Sequence, residues 1–178
     1  MIPQFPNPNI TITTREDVAD LHRLVNSAYR GDSSRKGWTT EANLLDGQRT
    51  SEKLLLEMME EPEAVILKYA DPENDLLQAC VYLKNKSGKL YLGMLTVNPE
   101  LQARGIGKQL LAAAEFYAEQ VNATAIQMTV ISVRSELIAW YERHGFRKTG
   151  QTEPFPADPE FGLPKQALEF IVMEKDLS

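Results

Sequence analysis

The sequence predicts a single-domain α/β (α+β) fold over residues 1–178, with a mixed, mostly antiparallel central sheet flanked by helices. Three observations predict it. A chain of 178 residues that is 43% hydrophobic can bury one substantial core and is short for two. The β-rich runs 64–70, 76–84 and 89–97 are separated only by Asp71-Pro72-Glu73-Asn74-Asp75 and Asn85-Lys86-Ser87-Gly88, and turns of that length and composition join antiparallel neighbours. The next apolar run, 125–131, instead follows a helix-length connection, so it crosses over to form a parallel or locally splayed pair at the centre of the sheet.

Each element follows from its own residues. Residues 1–9, with their Pro and Asn content, read as a flexible start, and 10–13 as a short strand. Val18, Leu21, Val25 and Ala28 share one helical face, Thr13 and Glu16 are spaced as a capping box, and Gly31 ends that helix. The stretch 32–50 is polar and punctuated by glycine but holds Trp38, Leu44 and Leu45, too apolar for a free linker and suited to a short helix over a substrate site. Thr50 introduces a helix through Leu54, Leu55, Met58 and Met59, which Pro62 closes. After the three strands, Ile106, Leu110, Ala114, Tyr117 and Val121 recur at helical spacing while Lys108, Gln109, Glu115 and Glu119 mostly fall on other faces. A further helix ends in Trp140-Tyr141-Glu142-Arg143-His144-Gly145-Phe146, where Gly145 suits a left-handed cap. The proline-rich loop 153–165 separates two last strands, 146–152 and 167–174.

The formal charge of −6 and the absence of a long basic run argue against a nonspecific nucleic-acid or membrane-surface binder, which needs clustered Lys and Arg. The one cysteine, Cys80, cannot form an internal disulfide and lies in a strand-like run, where packing is its expected role. No apolar run approaches the roughly twenty residues that span a bilayer. Residues 1–9 lack the charged and apolar regions of a signal peptide, so a cytoplasmic location is the default expectation. No spacing of His, Cys, Asp and Glu resembles a metal signature, and no metal is expected.

The most informative stretch is Gln102-Ala103-Arg104-Gly105-Ile106-Gly107, between an apolar strand and an amphipathic helix. Two glycines let the backbone come close to a bulky anion, the unpaired amides of the first helical turn point outward together, and Arg104 and Lys108 add positive charge. The Rossmann fingerprint fails because Leu110 stands where its third glycine belongs. The Walker A loop fails because Gly107-Lys108 is followed by Gln109 and no glycine lies five residues before Gly107.

Gln-x-x-Gly-x-Gly after Val97-Asn98-Pro99 resembles the acyl-CoA motif of the GNAT acetyltransferase superfamily, and Tyr141 to Phe146 resembles the Tyr-x-x-x-Gly-Phe signature of the same family. The two stand in the family's order, and the likeness extends from the helix near Glu16 to the last strand near Met173. The stretch from Trp38 to Arg49 also resembles a pattern in a group of uncharacterised bacterial members.

That resemblance implies a GNAT fold splayed at the acyl-CoA site, with acetyl-CoA as co-substrate. Gln102, Ala103, Arg104, Gly105, Ile106, Gly107 and Lys108 would hold the pyrophosphate, Leu95 and Val97 would supply backbone contacts to the CoA arm, and Gly93 or Met94 would lie near a bulge. Tyr141 matches a tyrosine that serves as general acid in many members; from its residues alone it reads first as an aromatic packed beside Trp140, and its place in the motif favours the acid. Arg134 stands where many relatives carry Asn, and has three readings: a CoA phosphate contact, a substrate carboxylate contact, or an exposed helix start. Glu41 is the candidate base, or a solvated or capping residue; His22 and His144 could also accept a proton and more ordinarily serve as surface or packing residues. Arg49, after Asp46-Gly47-Gln48, faces either an acidic group on the acceptor or solvent. The implied activity is acetyl transfer to a primary amine of a small molecule or peptide by direct attack in a ternary complex. The protein would act alone or as a homodimer, with no nucleic-acid or membrane partner. The alternative from another class is an acyl-CoA-binding sensor or interaction module without turnover.

Overall fold

The computed structural model describes residues 4–29, 45–46, 49–102, 104–155 and 163–178. In chain order the elements are β1 (Ile10–Ile12), α1 (Val18–Tyr29), β2 (Leu45–Asp46), α2 (Glu52–Glu60), β3 (Ala64–Ala70), β4 (Leu77–Lys86) and β5 (Lys89–Val97). They continue with α3 (Ile106–Gln120), β6 (Ala125–Ile131), α4 (Ser135–Arg143), β7 (Arg147–Pro154), β8 (Leu163–Pro164) and β9 (Glu169–Asp176). A seven-stranded mixed sheet runs in the order β1-β3-β4-β5-β6-β9-β7, antiparallel throughout except for β5 beside β6. This is the predicted class and arrangement.

Residue alternation decides what lies on each face. Along β4, Ala79, Val81 and Leu83 point to one side and join Leu110, Ala114 and Ala118 of α3, while Cys80 and Tyr82 point to the other and join Leu21 and Val25 of α1 and Leu55 of α2. All five of these β4 residues are buried, because helices cover both faces. Hydrophobic burial on the two sides of one central strand thus welds the layers into a single unit.

The local signals needed adjustment at several ends. The capping box is one residue later than its expected place at Thr13 and Glu16: the Asp17 carboxylate accepts the Thr14 amide at 2.8 Å, while buried Thr13 donates its hydroxyl to the Ile66 carbonyl at 2.9 Å and extends the strand pairing. Ser51 rather than Thr50 caps α2, accepting the Leu54 amide at 3.1 Å. The β4–β5 connection tightens to Ser87-Gly88, both at positive φ (52° and 88°), the twist that suits a two-residue hairpin. Residues 1–9 were expected to be flexible, yet Phe5 is buried with its ring centroid 5.6 Å from that of Phe116, and Asn7 donates to Gln109 of α3 at 2.5 Å. The β2–β8 pair, which ties the connection before α2 to the one before β9, was not expected from the sequence. The end of α1 assigned to Gly31 lies outside the described residues.

The sheet opens where the site lies. Parallel pairing between β5 and β6 covers only Lys89–Tyr91 against Ala125–Gln127, and beyond it the strands have no paired register. On the other side of β5, Cys80 and Tyr82 of β4 face Thr96 and Gly93, so two steps on β4 match three on β5 and the extra residue is a bulge. Met94 sits in it at φ 53°, a left-handed conformation that costs a non-glycine residue roughly 1 kcal/mol. Thr96 and Cys80 both direct side-chain donors at the Met94 carbonyl, at 2.9 and 3.9 Å.

Candidate active site

The cradle is built from the end of β5 onward. Asn98 fixes the exit by donating its amide to the Gln78 carbonyl at 2.8 Å and accepting the Glu100 amide on its side chain at 3.0 Å. Gln102 turns back, its Nε2 donating to the Val97 carbonyl at 3.3 Å. Gly105 caps α3 at φ 81°, and the first intrahelical bond runs from the Gln109 amide to the Gly105 carbonyl at 3.1 Å. The amides of Ile106, Gly107 and Lys108 therefore precede that ladder and form the positive end of the α3 dipole. A Cβ on Gly107 would lie 3.4 Å from Trp140 of α4 and 3.8 Å from Val97, in ordinary contact with both, so an alanine would fit there and any larger side chain would meet the Trp140 ring or Val97.

The Tyr-x-x-x-Gly-Phe signature is a helix cap. Gly145, at φ 94°, donates to the Glu142 carbonyl at 3.1 Å and Phe146 donates to the Tyr141 carbonyl at 3.1 Å, the two bonds of a Schellman motif. The accompanying hydrophobic contact is between the Phe146 and Tyr141 rings, 5.6 Å apart and edge to face. The motif thus holds Tyr141 by its carbonyl and by its ring. Trp140 flanks it at 5.1 Å. Burial pushes the Tyr141 phenol above the ordinary tyrosine range, with Tyr29 adding to the effect and the Arg134 charge opposing it. The packed and functional readings of Tyr141 are therefore compatible: it is buried, and it borders open space.

Two cavities flank the opened sheet. The first, about 610 Å³, is lined by Leu95, Val97, Gln102, Gly105, Ile106, Gly107, Lys108 and the Trp140–Tyr141 side of α4. The second, about 640 Å³, lies between α1, α2 and the opposite side of β5 and β6, and includes Tyr29, Arg49, Glu61, Met94 and Arg134. They share Leu95, Leu137 and Tyr141. At this junction the Tyr29 hydroxyl donates a hydrogen bond to the Leu95 carbonyl.

The structure brings most of the expected CoA residues to the first cavity, but not all. Arg104 is exposed and does not line it, Arg134 lines the second cavity, and Ala103 and Glu41 lie outside the described residues. His144 is on the first cavity, its Nδ1–H donating to the Trp140 carbonyl at 2.7 Å, and His22 lines neither. Glu61, not singled out from sequence, accepts from Lys84 at 2.6 Å and Tyr82 at 3.1 Å; the Lys84 hydrogen bond above all holds its carboxyl below the usual range, which makes it a poor base. Tyr29 was also missed. Its only signal was a place four residues after Val25 on the apolar face of α1, which packing alone explains. Among the described residues no cluster of three or more His, Cys, Asp or Glu could hold a metal, and no helix is long and apolar enough to cross a membrane.

Comparison with known proteins agrees with this geometry. No curated relative matches the sequence. Among solved structures, the ribosomal-protein-S18-alanine N-acetyltransferase of Escherichia coli is 17% identical with a TM-score of 0.68, covering 95% of this chain and 93% of its own. An N-acetyltransferase from Staphylococcus aureus Mu50 is 18% identical with a TM-score of 0.71, covering 94% and 96%. At such identities the likeness is one of fold. The family model of the acetyltransferase (GNAT) domain matches residues 39–155, which take in the bulged strand, the glycine cradle and the Tyr141 cap, and so the chain belongs to the GNAT acetyltransferase family.

Proposed function

We propose that the protein transfers an acetyl group from acetyl-CoA to a primary amine of a small molecule or peptide by direct attack in a ternary complex. The observation that carries this reading is the meeting of two separate cavities at Leu95, Leu137 and Tyr141. The first fits CoA: a groove under a helix start suits pyrophosphate, and Gly107 lines it beside Trp140 and Val97 without a side chain of its own. Bound there, acetyl-CoA supplies the acetyl thioester. The chain's own residues do the rest. The Ile106–Lys108 amides bind the anion, the bulge and its Tyr29 bond orient the β5 backbone, and the Tyr141 phenol stays protonated in the neutral range and can give its proton to the leaving sulfur. A raised phenol is a weaker donor, but a thiolate formed beside the same buried side chain is a correspondingly stronger base.

The acceptor enters from the second cavity, which the rival reading of a sensor without turnover does not require. Glu41 stands as our candidate base; Glu41→Gln should then lower turnover most at low pH, where the amine is protonated, with acetyl-CoA affinity near wild type. The overall reading is tested by free-thiol detection with acetyl-CoA and a panel of amino acids, peptides and polyamines. Thiol release with at least one amine supports it; saturable acetyl-CoA binding without release from any amine favours the sensor.

A further inference from the structure

The bulge in β5 turns one peptide unit, and two buried side chains hold it there. Met94 occupies the bulge at φ 53°, and a non-glycine residue keeps such a conformation only where its surroundings fix it. Thr96, 1% exposed, donates its hydroxyl to the Met94 carbonyl at 2.9 Å, and the fully buried Cys80 directs its thiol at the same oxygen from β4 at 3.9 Å. These two residues are cross-strand partners, and Cys80 packs against α1 and α2, so both donors approach from the α1–α2 face of the sheet. The next carbonyl, that of Leu95, is taken from the same side by the Tyr29 hydroxyl of α1.

A trans peptide points its N–H opposite its C=O. With the Met94 carbonyl turned toward α1 and α2, the Leu95 amide is turned toward the α3–α4 face, where Leu95 packs on the core beneath α3 and lines the first cavity. We propose that Thr96 is a positioning residue for acetyl transfer: its hydroxyl, seconded by the Cys80 thiol, locks the Met94–Leu95 peptide so that an N–H and not a C=O faces the acetyl carbonyl. This rests on the acetyltransferase reading above. Rotating that peptide about its flanking bonds would exchange the two groups and set the negative end of a carbonyl dipole against the oxygen on which charge develops as the amine attacks. The hydroxyl opposes the rotation, since flipping the peptide breaks its hydrogen bond in a site closed to water. A valine would fill nearly the same space and offer no such donor.

The test reads the acetyl carbonyl directly. Infrared difference spectra of acetyl-CoA, isotopically labelled at the acetyl carbonyl and bound to the wild type without acceptor, should place that band below its position in free acetyl-CoA. Thr96→Val should return the band toward the free position and lower kcat with the best amine of the panel about tenfold, because misdirecting an oxyanion donor costs less than deleting one. Acetyl-CoA affinity, read by calorimetry, should stay within about threefold, since the α3 amides are untouched. Thr96→Ser keeps the donor and should restore both band and turnover. A wild-type band that does not move on saturable binding overturns the lock and leaves the acetyltransferase reading standing. So does a Thr96→Val protein that is only easier to denature, with band and kcat unchanged, since the hydroxyl then serves stability alone. Should Thr96→Val not fold, Thr96→Ala is read by the same measurements, and failure of both to fold overturns the lock in favour of a purely structural hydroxyl. Absence of saturable acetyl-CoA binding to the wild type overturns both readings.

Discussion

At the scale of single residues, Tyr141 is the proposed proton donor and Cys80 reports on the interior. Tyr141→Phe keeps the ring that packs on Phe146 and removes only the hydroxyl that would give the proton, so kcat should fall about tenfold or more while acetyl-CoA affinity changes less than about twofold. Unchanged turnover, with an acceptor in hand, would leave Tyr141 a packing residue. Cys80 is fully buried, and desolvation pushes its thiol from 9.0 up to about 12. A raised value in the folded state means stability that is complete below the unfolded value and lost as pH rises through the folded one. Chemical denaturation should therefore show wild type losing more stability than Cys80→Ala between about pH 9 and pH 12. The comparison with the variant is needed because the Tyr82 and Tyr141 phenols, also raised by burial, contribute in the same window. The buried thiol should also stay unreactive in the native protein near pH 8, leaving thiol assays to read released CoA alone.

At the scale of elements, the strand–cradle–helix unit depends on close approach. Gly105 needs its positive φ but has open space where a Cβ would point, whereas Gly107 has Trp140 and Val97 as neighbours. Gly107→Val adds methyl groups beyond the Cβ that already touches Trp140, so it should crowd the first cavity and weaken acetyl-CoA binding about tenfold or more, read by calorimetry on the folded variant. Unaltered affinity would remove the cradle assignment. The steric account and the dipole account part here, since the valine leaves the α3 amides in place.

At the scale of the whole molecule, two cavities meet at the opened sheet, and the proposed reaction needs a ligand in each. Initial rates over a grid of acetyl-CoA and acceptor concentrations should give intersecting lines, as expected when both must be bound before transfer. Parallel lines with a trapped acetyl-enzyme would replace direct attack with a covalent route. The antiparallel meander and the crossover were legible because turn length and hydrophobic period are local quantities. The exact caps were not, since Thr13 and Thr14, or Thr50 and Ser51, are chemically interchangeable until tertiary contacts claim one of each pair, the Ile66 carbonyl taking Thr13 and the Asn26 side chain of α1 taking Thr50. The β2–β8 pairing joins segments over a hundred residues apart and left no local trace.

The sequence by itself determined the glycine cradle, the Tyr141–Phe146 cap and hence the family, because each is a contiguous run whose backbone demands appear as residue types. Only the tertiary structure decided which side of the sheet each side chain serves. Arg134 falls on the second cavity beside Arg49, and Tyr29 ends at the Leu95 carbonyl, through packing of α1 and α4 across the bulge. A bulge shifts every residue after it by one place, so the face a residue presents depends on the neighbouring strand as much as on its own sequence.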